Sequence, residues 1–191
     1  MSKTNTNIVY SKPVIDFVTV GVEFCAMLEN DEVVARTEWL AKMTRLLPML
    51  YLKAALLPDT IAMDENGLAE AFVREDDYAR VAGRVAAIMG EEDVYLDVFV
   101  EDMKYSDTPV SAFISENIAD IYQDVRNFVS VYQYEIADQM LEALAAAIAN
   151  FKNYWGQKLV NVLRPMHTLQ YAENTNNEYT DENETEGGFW E

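Results

Sequence analysis

One cysteine, one histidine, five prolines and seven glycines in 191 residues leave little room for several kinds of chemistry. With Cys25 alone the chain forms no internal disulfide and no cysteine-based zinc cluster, and with His167 alone it has no site of paired imidazoles. Neither a phosphate-cradling G-x-x-x-x-G-K-[ST] or G-x-G-x-x-G loop nor a G-x-S-x-G elbow occurs, which removes the usual sequence grounds for nucleotide-dependent and hydrolase chemistry. No apolar run approaches the ~20 residues that span a bilayer. The opening MSKTNTNIVYSK has no apolar stretch like the core of a secretory signal, so the expected location is the cytoplasm. Bases are scarce too: 14 Lys and Arg stand against 33 Asp and Glu, for a net charge of −19. Such a surface repels phosphate backbones and anionic headgroups, so neither nucleic acid nor a membrane is an expected partner.

What is present is helical periodicity. After a polar, flexible segment over residues 1–12, Pro13 suits the first turn of a helix, where its missing N–H has no partner to lose. Val14, Phe17, Val18, Gly21, Val22, Cys25 and Leu28 then recur at spacings of three and four. A second helix is predicted from Asp31 or Glu32 to Leu57, with Trp39, Leu40, Met43, Leu46, Leu47, Leu50, Tyr51 and Ala54 on its stripe. Pro48 lies inside it, predicting a kink or break. Residues 58–73 read as a loop turning at Asp64-Glu65-Asn66-Gly67, and a third helix follows from Glu75 to Gly90 on Tyr78, Val81, Val85, Ile88 and Met89. Val94–Val100 has strand composition but no evident partner strand, and is read as an extended connector. A fourth helix is predicted over Ser111–Tyr132 and a fifth helical stretch over Glu135–Tyr171, interrupted at Gly156 and Pro165. The expected fold is an all-α antiparallel bundle of five to six amphipathic helices with a Pro-kinked second helix and no significant sheet. It occupies residues 13–172 as one domain, and the stripes alone do not set an oligomeric state.

Residues 173–191 carry seven acids and no base, and read as a disordered acidic tail. Phe189 and Trp190, behind Gly187-Gly188, offer three readings: a docking element for a partner groove with a basic rim, a tail that folds back onto its own bundle, or a terminus with no role. The most shaped polar pattern is Asn117, Asp120, Asp124 and Asn127, spaced three and four apart beside the apolar stripe of the fourth helix. Two carboxylates a turn apart can form salt bridges and hydrogen bonds with Arg126, Arg164 or Lys158 at a bundle seam, share a divalent cation, or contact a partner. Cys25, on a buried stripe with no base beside it, is expected to be inert.

Ile118-Ala119-Asp120-Ile121-Tyr122-Gln123-Asp124-Val125, Phe151-Lys152-Asn153-Tyr154-Trp155-Gly156-Gln157-Lys158 and Leu163-Arg164-Pro165-Met166-His167 carry a resemblance, joined by Leu47-Pro48-Met49-Leu50-Tyr51 and Leu57-Pro58. Over residues 13–170 the chain resembles a bacterial family known as domain of unknown function 5063. That family's pattern joins a D-I-Y-x-D-L helix to an F-x-x-x-W-G helix ending L-R-x-L-H. The resemblance implies an all-helical bacterial domain and supplies no activity, substrate or cofactor. In the family, histidines flank the Trp-Gly pair; here those positions are Tyr154 and Lys158, so no metal or acid–base role carries over to them. The matching residues imply that Asp120, Tyr122, Asp124, Trp155, Gly156, Arg164 and His167 meet where the fourth helix crosses the last, as a polar clasp or a site.

Two functions follow as expectations. The first is a non-catalytic protein-interaction domain that uses its acidic surface and its tail, with no cofactor and no metal. The alternative is a ligand-binding or divalent-cation-dependent enzyme with its site at the seam of the Asp120/Asp124 helix and the Arg164/His167 helix.

Overall fold

The apolar spacing becomes five helical rods in the computed structural model, which describes residues 8–60, 71–97, 110–137 and 139–185, with side chains as far as Ala172. The first four rods are α1 (Lys12–Glu29), α2 (Arg36–Ala55), α3 (Glu75–Met89) and α4 (Ile114–Gln133). The last joins α5 (Met140–Asn150), a π-helical turn (Phe151–Trp155) and α6 (Gly156–Thr185) without a break. Among the described residues no helix is long and apolar enough to cross a membrane.

α4 sits at the centre. It packs against α1, α3, α5 and α6, and 12 of its 20 residues are buried. α1 crosses it at Gly21, where an added Cβ would lie 2.9 Å from Val129 Cγ2 and 3.1 Å from Val125 Cγ1. The absent side chain lets the two helices meet at backbone distance. Phe17, Phe24 and Leu28 of α1, Trp39, Leu40, Met43, Leu47 and Leu50 of α2, and Leu159, Val162 and Met166 of α6 complete one core.

Several sequence expectations need correction. α2 begins at Arg36 rather than at Asp31 or Glu32, because the Asn30 side-chain oxygen accepts the Glu32 N–H at 3.0 Å and holds a turn there. Of the kink or break expected at Pro48, the break does not occur: α2 runs through it, one lost backbone bond being outweighed by the buried side chains on either side. The fourth helix ends at Gln133, and Glu135 takes a positive φ of 54°, so α5 starts only at Met140. Val94–Asp97 is not a connector but β1, which pairs antiparallel with β2 (Val110–Phe113), Val94 facing Phe113 and Asp97 facing Val110. β2 covers residues that the helical pattern had claimed for the start of α4. α6 continues past Tyr171 to Thr185, since Asn, Glu and Thr each cost only ~0.7 kcal/mol or less when they extend a helix already formed. The turn at residues 64–67 lies outside the described residues.

The hairpin is fastened to α4 by Asp93, a 7%-exposed carboxylate just before β1. It accepts the Ser115 N–H at 2.8 Å and the Ser115 hydroxyl at 2.6 Å, capping the first turn of α4 from 22 residues away.

The π turn closes with the Gly156 N–H donating to the Phe151 carbonyl. A Cβ on Gly156 would collide with that carbonyl and with the Phe151 ring. The ring itself packs on Trp155, centroids 4.9 Å apart. Gly156→Ala is therefore expected to cost about 2 kcal/mol or more. Thermal unfolding should register this as a drop of roughly 4–8 °C, whereas the same change at Gly83, whose Cβ position is open, should lower stability by none of that amount.

Candidate functional site

The polar stripe of α4 lies on the side facing α3, α5, α6 and the hairpin, and its four members are tied to five other parts of the chain, Asn117 and Asp120 sharing Lys158 of α6. Asn117, 8% exposed, donates from its amide to the Tyr95 hydroxyl of β1 at 2.7 Å and accepts from the Lys158 ammonium of α6 at 3.3 Å. Asp120 takes the Lys158 ammonium at 2.7 Å on one oxygen and the Tyr78 hydroxyl of α3 at 3.0 Å on the other. Asp124 accepts the Asn150 amide of α5 at 2.6 Å. Asn127 accepts the backbone N–H groups of Phe72 and Val73 at 2.7 and 2.9 Å, fixing the segment that leads into α3.

Lys158 is the cation of this cluster. It also lies over the Tyr154 ring, 4.9 Å from the centroid. Burial pulls its pKa down, but the hydrogen bond to Asp120 and that carboxylate's charge outweigh this and hold it above the usual lysine value. Burial, then the neighbouring Asp120, pushes the Tyr78 hydroxyl up, so it stays a proton donor. Burial likewise pushes Tyr95 up to about 12. Asp124 is raised from its ordinary 3.8, chiefly by burial, against the lowering effect of the Asn150 hydrogen bond.

The sequence-predicted constellation is thus brought together only in part. Asp120 and Asp124 share the seam, but the cation there is Lys158 rather than Arg164 and it pairs with Asp120 alone, Asp124 being answered by Asn150. Tyr122 lies on another side of α4: its hydroxyl donates to Glu29 of α1 at 2.8 Å, and Glu29 also holds Arg126 at 2.9 Å. Trp155 is 1% exposed and stacks on Phe17 at 6.3 Å, a core residue with no face toward the seam. Arg164 and His167 are exposed further along α6, the His167 ring resting on Tyr171 at 4.6 Å. No group of three or more His, Cys, Asp or Glu suited to a metal ion occurs among the described residues. Cys25 is buried and its thiol is pushed well up by that burial, which removes thiolate chemistry. Phe189 and Trp190 lie outside the described residues.

Sequence reasoning missed Tyr78, Tyr95 and Asn150 as partners of the stripe. Only the unbroken three-and-four spacing of polar residues beside an apolar stripe hinted that something must face them.

It also missed an outward face. Ile15 and Val22 on α1, Met49 and Leu52 on α2, and Leu56 just past its end are 42–55% exposed and recur at helical spacing along two neighbouring helices joined by the Asp16–Lys53 ion pair at 2.9 Å. Beside Met49 a groove of about 690 Å³ is lined by these helices, the segment joining them and Arg84 of α3, with Met27, Val34 and Leu46 in its walls and Glu23, Glu32, Glu38, Lys42, Arg45 and Arg84 as its charged residues. Trp39 also lines it, and its buried indole N–H has no hydrogen-bond partner. Arg45 has no ion pair among the described residues.

The comparisons agree with one another. The family model described as Domain of unknown function (DUF5063) matches residues 8–172. The crystal structure of protein BF1032 from Bacteroides fragilis is 36% identical, superposes with a TM-score of 0.75, and is matched over 86% of this chain and 96% of that one. No curated protein matches.

Two substitutions probe the seam. Asp120→Asn keeps an acceptor for Tyr78 but leaves the half-buried Lys158 without its carboxylate, and should cost about 1–2 kcal/mol by urea denaturation. For Asp124 the folded-state pKa is above the unfolded value, so the stability this carboxyl contributes is full below its ordinary 3.8 and is lost as pH rises through the folded value. Asp124→Asn cannot ionise and still accepts from Asn150; relative to the unsubstituted chain it should therefore gain stability between pH 3 and pH 7. An unchanged difference across that range would show that Asp124 is not buried as described.

Proposed function

The chain belongs to the DUF5063 family, whose description names no reaction, and from that premise we propose that it is a non-catalytic interaction domain that docks a basic protein partner on the α1/α2 face. One observation carries this reading: the exposed Ile15, Val22, Met49, Leu52 and Leu56 form an apolar face beside a groove, on a chain whose net charge is otherwise −19. An apolar face on a strongly acidic body repels a second copy of itself and attracts a partner of opposite charge. The Arg45 guanidinium adds donors that a partner's carbonyl or carboxylate would satisfy. The α4 stripe supports the same view from the other side. Its carboxylates already hold Lys158, Tyr78 and Asn150, as a clasp between helices would. The alternative is a ligand-binding or divalent-cation-dependent enzyme with its site at that seam. The tail ending Phe189-Trp190 enters this proposal as a second contact with the same partner.

The test is titration of the full chain with a synthetic amphipathic helix of leucine and lysine, beside the same peptide with glutamate in place of lysine. Binding of the lysine peptide should weaken at least tenfold in Leu52→Asp and in Met49→Asp, both exposed enough to leave the fold intact by circular dichroism. The glutamate peptide should bind at least tenfold more weakly than the lysine peptide. Equal binding by the unsubstituted and substituted chains would overturn the reading. So would salt-induced dimerisation in sedimentation, which would assign the face to a second copy.

A further inference from the structure

A cleft of about 490 Å³ opens between β1 and α6 and shares no residue with the α1/α2 face. Its apolar surface comes from Val94 and Leu96 of β1 and Val160, Pro165 and Leu169 of α6, and the carboxylates Glu92 and Asp97 also line it. Val94, Leu96 and Val160 are 51, 59 and 48% exposed, an amount of uncovered hydrocarbon that isolated surface positions on neighbouring elements do not ordinarily gather in one place. The volume falls within the ordinary range of small-molecule sites, roughly 300–1,000 Å³.

A single cation, Arg164, lines this cleft, one turn of α6 beyond Val160. In a chain with 33 acids a cation is ordinarily taken up, and Lys12, Lys53, Arg126, Lys152 and Lys158 each hold a carboxylate within 3.0 Å. Arg164 is exposed and has no ion pair among the described residues, although Asp97 lines the same cleft. The reason is local. The Asn161 amide donates to both Asp97 oxygens, at 3.2 and 3.3 Å, and holds that carboxylate against α6 a turn before Arg164. The guanidinium therefore keeps its donors at the edge of an apolar trough.

We propose that this cleft binds a small amphiphilic carboxylate, the anion paired with Arg164 and an aliphatic or aromatic body lying among Val94, Leu96, Val160 and Leu169. A planar guanidinium matches a carboxylate in bidentate fashion, and such a contact acts at hydrogen-bond distance. The chain's overall charge is screened beyond about 8 Å at physiological salt, so the repulsion that matters comes from Glu92 and Asp97 in the cleft itself, Asp97 being held by Asn161, and the anion must sit directly on Arg164 to overcome it.

Octanoate, octanol and octylamine, titrated separately into the full chain and followed through the methyl resonances of Val160 and Leu169, distinguish the outcomes. Octanoate should bind at least tenfold more tightly than octanol, and octylamine more weakly than either. Arg164→Ala should bring octanoate down to the affinity of octanol, and Val160→Glu should weaken both; these exposed positions leave the core untouched. Equal affinities for octanoate and octanol, a preference for octylamine, no methyl shifts up to millimolar concentrations, or an Arg164→Ala variant that binds octanoate unchanged would each overturn the proposal.

Discussion

α4 is enclosed by its neighbours, and that enclosure sets the rest of the structure. A helix with most of its residues buried must satisfy its polar side chains from within the protein, because an unpaired group in that setting costs about 1–3 kcal/mol. Asn117, Asp120, Asp124 and Asn127 meet this requirement through β1, α3, α5, α6 and the segment before α3. The apolar stripe beside them determines that these elements collapse onto α4. The polar stripe determines how far each slides along it, since a shift of one turn would orphan an acceptor. Glu29, shared by Tyr122 and Arg126, does the same for α1, and Asp93 for the hairpin.

The helices were legible because burial against a centre repeats with the helical period. Val81, Val85 and Met89 of α3, or Leu159, Val162 and Met166 of α6, announce their inner face without reference to any other part of the chain. The edge of a stripe is less well determined. Val22 reads as core beside Gly21, yet it is 47% exposed, while Val20 and Phe24 on the opposite margin are buried, because α1 is rolled toward α4 to bring Gly21 against Val125 and Val129. The hairpin was hidden for another reason. Each strand is only four residues long, so alternation has no length over which to show, and pairing between Val94 and Phe113 depends on contacts that local pattern does not carry. The polar stripe was visible as a pattern, but its partners were not. Tyr78 lies 42 residues from Asp120 and Asn150 lies 26 from Asp124, and neither residue type advertises a hydrogen bond in sequence.

The family motif acquires a physical meaning from the same geometry. In F-x-x-x-W-G, Phe151 supplies the carbonyl and ring against which the π turn closes, Trp155 fills the core beside Phe17, and Gly156 is the residue small enough to pass the carbonyl. In D-I-Y-x-D, Asp120 and Asp124 face the α5/α6 rod while Tyr122 faces α1. The residues that carry the resemblance are therefore the means by which α4 is clamped between the first and last helices. The scarce cations follow the same logic: Lys53, Arg126 and Lys158 are each spent on carboxylates of another element. The surplus of acid is left to the surface, where the field it creates acts on whatever approaches.

The π turn also works as a phase adjuster between the two halves of the last rod. Successive residues of an α-helix are set about 100° apart, so one residue more or fewer between Asn150 and Gly156 would rotate everything downstream by that angle. Leu159, Val162 and Met166 would swing out of the core, and Lys158 would leave Asp120. Point substitutions in this stretch are felt locally, but a change in its length is transmitted along the whole of α6. Chain length between α5 and α6 is accordingly fixed more tightly than the exposure of Lys152, Asn153 and Tyr154 alone would suggest.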